Sequence, residues 1–114
     1  MLLSAICSIV EGTVICGDLR LNEEVTHAFS SDLMSDVLTL KRDNFLLITG
    51  LSNAQSIRTA EMSDAPYILL CRGKTVSKEM IELANENNIA IISSPFSMFK
   101  CSGLLYNAGL NPVY

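Results

Sequence analysis

The sequence predicts a three-layer α/β/α domain built on a mostly parallel sheet of four or five strands. Three observations carry this. Residues 45–48, 67–71 and 89–92 are short, continuously apolar runs, the pattern of strands buried on both faces, as in a parallel sheet. Each run halts at small or polar residues: Thr49-Gly50, Arg72-Gly73 and Ser93-Ser94-Pro95. Each is then followed by a stretch with helical spacing, and crossovers of this kind between parallel strands are right-handed.

Taken in order, residues 1–10 place Leu2, Leu3, Ala5, Ile6, Ile9 and Val10 at helical spacing, which predicts an amphipathic first helix. The stretch is apolar but has no basic lead, so it reads poorly as a signal peptide. It is also too short to span a bilayer. Thr13–Cys16 is a short strand ended by Gly17-Asp18, and 19–24 is a loop. A second strand covers 25–29. Ser30, Ser31 and Asp32 offer N-caps to a helix carrying Leu33, Met34, Val37 and Leu38, with Asp32 meeting the positive end of its dipole.

After the strand at 45–48, Ser52 and Gln55 have capping-box spacing. The helix they open runs to about Met62, and the 63–66 turn ends at Pro66, which cannot continue a helix. After the strand at 67–71, Ser77 caps the next helix and Val76 staples onto Ile81. Met80, Leu83 and Ala84 form its apolar face, and Asn87-Asn88 suits a left-handed end. After the strand at 89–92, Ser94 as cap and Pro95 at the first helical position open the last helix, with Phe96, Phe99, Leu104 and Leu105 as its apolar residues. Pro112 argues against helix in the C-terminal tail. One domain is expected over 1–110, with 111–114 as a short tail.

Composition sets bounds on function. At 114 residues the chain can bury a core without disulfides or metal. Apolar residues make up 49% and charged residues only 18%, a low charge that points to a second buried surface, most simply a homodimer. The net charge of −4 argues against nucleic acid as a partner. Nothing in the chain calls for a membrane. Cys7, Cys16, Cys71 and Cys101 are irregularly spaced without a Cys-x-x-Cys pair, so they read as reduced thiols of a cytoplasmic protein. Met34, Met62, Met80 and Met98 are read as core fillers on separate helices.

No catalytic, metal or cofactor set emerges. Gly73-Lys74-Thr75 has the ending of a P-loop, but the glycine that motif needs five positions earlier is Ile68, inside a strand. His27 is the only histidine, lies in a predicted strand and has no nucleophile elbow to serve. Asp32 and Asp36 fall one helical turn apart with no third metal ligand. What remains is the edge where the parallel strands end, the place where ligands of open α/β sheets bind. There Arg72 and Lys74 supply positive charge, Thr49, Ser52, Ser93 and Ser94 supply hydroxyls, and Gly50 and Gly73 allow a ligand close to the backbone. These eight residues suit a small anion, a phosphate or carboxylate held partly by free amides at helix starts.

The helix-opening stretch from Ser30-Ser31-Asp32 to Val37-Leu38 resembles the DRTGG domain. So does the run from Leu46, Ile48, Thr49 and Gly50 through Leu69, Cys71, Arg72 and Gly73 to Ser93-Ser94-Pro95-Phe96 and Phe99. The similarity extends over nearly the whole chain, although the Asp-Arg-Thr-Gly-Gly string that names the family is absent. The resemblance implies a fold similar to the N-terminal domain of HPr kinase/phosphorylase and a bacterial regulatory or dimerising module without catalysis of its own. Such modules also stand beside CBS domains in nucleotide-regulated pyrophosphatases. The expectation is a non-enzymatic homodimer that senses a small anionic metabolite or nucleotide. The alternative is an adaptor that binds a protein partner through the first helix and the tail, with no small-molecule ligand.

Overall fold

The runs at 45–48 and 67–71 become strands with every residue buried. In the computed structural model, which describes residues 1–114, these are β3 (Leu46–Thr49) and β4 (Tyr67–Leu70). They are central in a six-stranded sheet ordered β1-β5-β4-β3-β2-β6, with β1 at Thr13–Cys16, β2 at His27–Ser30, β5 at Ala90–Ser93 and β6 at Asn111–Pro112. Neighbours from β5 through β6 are parallel, and β1 alone runs antiparallel, against β5. Strand β2 starts later than the apolar pattern implies: Val25 is wholly buried but precedes it.

Five α-helices cover the two faces: α1 (Leu3–Ile9), α2 (Met34–Val37), α3 (Ala54–Met62), α4 (Lys78–Glu86) and α5 (Met98–Asn107). Side chains along a strand alternate between faces, and the core divides accordingly. Leu46, Ile48, Tyr67, Leu69 and Ile92 pack with Leu3 and Ile6 of α1 and Leu105 of α5. Leu47, Ile68, Leu70 and Ile91 pack with Met34 of α2, Ile57 of α3 and Met80 of α4. Each cluster holds 14 buried residues, so the sheet is buried about equally on both sides, and this is why its strands read as unbroken apolar runs. The apolar face of α1 is spent on this core, with Leu3, Ile6 and Val10 all at 0% exposure, leaving it unavailable as a partner surface.

The sixth strand comes from the tail. Asn111 and Val113 donate their amides to the Thr26 and Ala28 carbonyls at 3.0 and 3.2 Å. Pro112, lying between them on the sheet edge, has no N–H to contribute, and its outward position asks for none.

Several local expectations are replaced. Asn53, not Ser52, caps α3, accepting from the Ser56 amide at 3.2 Å. Helix α5 opens at Ser97, which accepts from the Lys100 amide at 3.1 Å, and Ser94 is buried beneath it. Its inward residues are Cys101 and Leu105, while Phe99 is 89% exposed. Met62 lies on the surface rather than in the core. Ser77 caps α4 at 3.2 Å as the spacing predicts, and Asn88 adopts the left-handed φ of 56°. All four cysteines are free. No helix is long and apolar enough to cross a membrane.

Candidate functional site

Because β2 to β5 are parallel, the turns that leave them share one edge of the sheet. The turn after β5 leads to α5 on one face, whereas the turns after β2, β3 and β4 lead to α2, α3 and α4 on the other. Adjacent strands β4 and β5 therefore diverge, which is a topological switch point. Here the divergence is stitched closed. The Arg72 amide donates to the Phe96 carbonyl at 2.7 Å and the Gly73 amide to the Ser94 carbonyl at 2.8 Å. Arg72 and Gly73 both take left-handed conformations, φ 67° and 61°, a geometry that glycine adopts freely and arginine adopts at a cost.

Asp32 is the residue at this edge that sequence reasoning assigned elsewhere. Its side chain does not cap its own helix. Oδ1 accepts the Gly50 amide at 2.6 Å and the Thr49 hydroxyl at 3.0 Å. The Thr49 oxygen in turn accepts the Leu51 amide at 3.1 Å. A carboxylate from the β2 turn thus fills the place after β3 where a free amide would meet an anion. The signal available was an aspartate directly after a strand, since short acceptor side chains bond backbone amides in turns.

The eight expected ligand-binding residues divide into two groups. Thr49, Gly50, Ser52, Gly73 and Ser94 have their donors engaged within the protein. The Ser52 hydroxyl donates to the Thr75 carbonyl at 2.6 Å, tying down the 73–77 segment. The Ser94 hydroxyl donates to the Val10 carbonyl at 2.7 Å and accepts the Phe96 amide at 3.1 Å. The side chains of Arg72, Lys74 and Ser93 keep their donors. Arg72 and Lys74 are exposed and take part in neither of the two ion pairs, which join the N-terminal amine to Glu24 and Arg20 to Glu23.

Arg72 is also placed against Gly50. A Cβ built on Gly50 would lie 2.7 Å from Nη2 of Arg72, so the guanidinium rests over the glycine and a side chain there would displace it. Gly50, Arg72 and Asp32 form one layered arrangement spanning three strand ends.

Other features lie away from this edge. The His27 ring nitrogen Nδ1 lies 2.8 Å from the Thr26 hydroxyl. No group of three or more histidine, cysteine or acidic residues is arranged to hold a metal ion. A cavity of about 490 Å³, bordered by Gly17, Arg20, Glu23 and Asn88, lies at the opposite end of the strands. At that end Arg20 bridges to Glu23 at 2.7 Å, and the hydroxyl of Tyr67 donates to the same carboxylate oxygen at 2.8 Å.

The family model of the DRTGG domain matches residues 5–108. The fold is similar to the crystal structure of the CBS and DRTGG domains of the regulatory region of Clostridium perfringens pyrophosphatase, complexed with its activator diadenosine tetraphosphate. The TM-score is 0.71 at 22% identity, over 88% of this chain and 44% of that one. The chain thus spans less than half the length of that protein segment. None of the curated proteins matches the sequence.

Proposed function

The chain belongs to the DRTGG domain family, and on that premise we propose that it is a non-catalytic, cytoplasmic regulatory module, a homodimer that senses a small anionic metabolite or nucleotide at the carboxyl edge of its sheet. The observation that carries this reading is Arg72: a guanidinium without a carboxylate partner, laid over the bare backbone of Gly50 and two residues from Lys74. Arginine in this setting offers the planar fork that phosphate and carboxylate groups match. The pyrophosphatase regulatory region of similar fold binds a dinucleotide polyphosphate, which supports a phosphate-bearing ligand without naming it. The engaged hydroxyls of Thr49, Ser52 and Ser94 act in this reading as scaffolding for the Arg72 turn, and Ser93 is the hydroxyl left to a ligand. Thermal unfolding with a panel of nucleotides and acyl phosphates tests it. A ligand at a hundred times its Kd should add about 2.7 kcal/mol of stability. A flat response across the panel, identical in Arg72→Ala, would defeat the ligand assignment.

A second reading, an adaptor that works through protein contact alone, is favoured by one observation. Phe99, Tyr106 and Tyr114 are 89%, 68% and 89% exposed, and the tail carrying Tyr114 is the segment the sequence offered for this role. Sedimentation of the full chain and of a form lacking residues 113–114 separates the readings, since only the adaptor requires assembly to weaken with the tail removed.

A further inference from the structure

An open groove of about 190 Å³ lies between α5 and the β2–β6 edge of the sheet. Its border is mainly apolar and carries no charged residue. Two exposed tyrosines reach it, Tyr106 from α5 and Tyr114 from the tail. Pockets that enclose a whole small ligand run to roughly 300–1,000 Å³, so this groove suits one flat ring system of a larger molecule. A hydroxyl pair completes it: Ser30 of β2 and Ser102 of α5 meet at 2.7 Å. One of them donates to the other, which leaves the second hydroxyl's own proton for a ligand.

The groove and the Arg72 guanidinium share one side of the sheet. Ile48 borders the groove and belongs to the core cluster beneath α1 and α5. Leu47 and Leu51 pack on the opposite cluster, so by alternation Gly50 presents the same side as Ile48. The guanidinium rests on that side of Gly50. Phe96, whose carbonyl receives the Arg72 amide, packs on the same cluster. From Ile48 to Gly50 is two residues along β3, about 7 Å at roughly 3.3 Å per residue. A positive fork for an anion and a bordering pair of aromatic side chains are thus one sugar ring apart.

We propose that the ligand of this edge is a nucleotide, with its base in the groove against Tyr106 and Tyr114 and its phosphate on Arg72. The inference rests on the anion-sensing reading above and names the ligand class and the subsite that reading leaves open. Every base has a flat face that stacks on aromatic side chains, and an uncharged border suits a neutral base. The Ser30–Ser102 pair stands between the two ends of the site, where it can donate to the ribose or to the edge of the base. A metabolite that is only a phosphate or a carboxylate would leave the groove empty. Tyr106 and Tyr114 become base-binding residues here, and the surface they expose is not required for a protein partner.

The test is calorimetric titration of the full chain with AMP, CMP and ribose 5-phosphate. At least one of the two nucleotides should bind about tenfold or more tightly than ribose 5-phosphate, the scale of one base stacked on an aromatic side chain. Tyr106→Ala should remove most of that advantage and leave ribose 5-phosphate binding unaltered, while Tyr106→Phe retains it. Arg72→Ala should weaken all three. Equal binding of all three, lost in Arg72→Ala, would overturn the groove assignment and leave the anion site standing. No binding by any of them would overturn both. A nucleotide advantage untouched in Tyr106→Ala and in Tyr114→Ala would place the base elsewhere. Loss of self-association in Tyr106→Ala by sedimentation, with nucleotide affinity unchanged, would give the groove to a second copy and overturn the proposal. Both tyrosines are exposed, so the variants should fold, which circular dichroism checks, and Tyr114→Ala decides if Tyr106→Ala does not.

Discussion

The carboxylate of Asp32 and the backbone amide of Gly50 are joined at 2.6 Å, although 18 positions separate them in the chain. The bond couples the turn after β2 to the turn after β3, and the Thr49 hydroxyl completes it from the same side. It also sets the electrostatics of the edge: one carboxylate occupies the nearest backbone donor, while the Arg72 guanidinium covers the glycine that supplies it.

Replacing Asp32 by alanine leaves the Gly50 amide and the Thr49 hydroxyl without their acceptor. Hydrogen bonds to a charged group contribute about 1.5–3 kcal/mol, and the exposure of Asp32 puts the expected loss at the lower end of that range, about 1.5 kcal/mol. Urea unfolding of Asp32→Ala should show the midpoint falling with an unchanged slope. A midpoint equal to that of the natural chain would mean the bond is dispensable.

Gly50→Ala separates stability from recognition. The atom that its new methyl group meets is the far end of the flexible Arg72 side chain, which can swing away, so stability should change by no more than about 0.5–1 kcal/mol. Ligand response in thermal unfolding should nevertheless fall toward that of Arg72→Ala, because the guanidinium has lost its seat. Full retention of the response in Gly50→Ala would show that the resting place of Arg72 is irrelevant to binding.

Ser94 is wholly buried and bonded on both sides, to the Val10 carbonyl and the Phe96 amide. Ser94→Ala leaves two backbone groups short of partners in the core and should cost about 1–3 kcal/mol. Since the Val10 bond pins the end of α1 to the β5 turn, faster amide exchange should appear there first in a hydrogen-exchange comparison. Uniform exchange throughout the chain would argue against such a local role.

Tyr67 gives a pH signature. Burial, followed by the hydrogen bond to Glu23 and the charge of that carboxylate, pushes its hydroxyl up to about 12 from the ordinary value of 10. The folded protein holds this proton more tightly than the unfolded chain, so the stabilisation is fully present below pH 10. It is lost as the pH rises through about 12. Tyr67→Phe should flatten this alkaline fall while lowering stability near neutrality through loss of the Glu23 bond. An identical alkaline profile in the variant would assign the fall to other groups.

What could be read from the sequence, and what could not, follows the range of the interactions. Strands β3, β4 and β5 were legible because burial on both faces leaves an unbroken apolar run, and Ser77 and Asn88 were legible because a cap or a left-handed turn is decided within a few residues. The choice between Ser94 and Ser97 as cap of α5 was not. Both hydroxyls stand before the helix, and the packing of Val10 against the β5 turn draws Ser94 away.

By itself, then, the sequence determined the α/β/α class, the parallel direction of the central strands and the edge where Arg72 and Lys74 emerge, since apolar periodicity and turn chemistry act locally. Only the tertiary structure decided that β1 runs antiparallel, that the tail becomes β6 beside β2, that Asp32 bonds Gly50, and that Ser94 bonds Val10. Each of these joins residues distant along the chain, and such partners are selected by which groups the closed core leaves within reach of one another, a quantity no local window of residues contains.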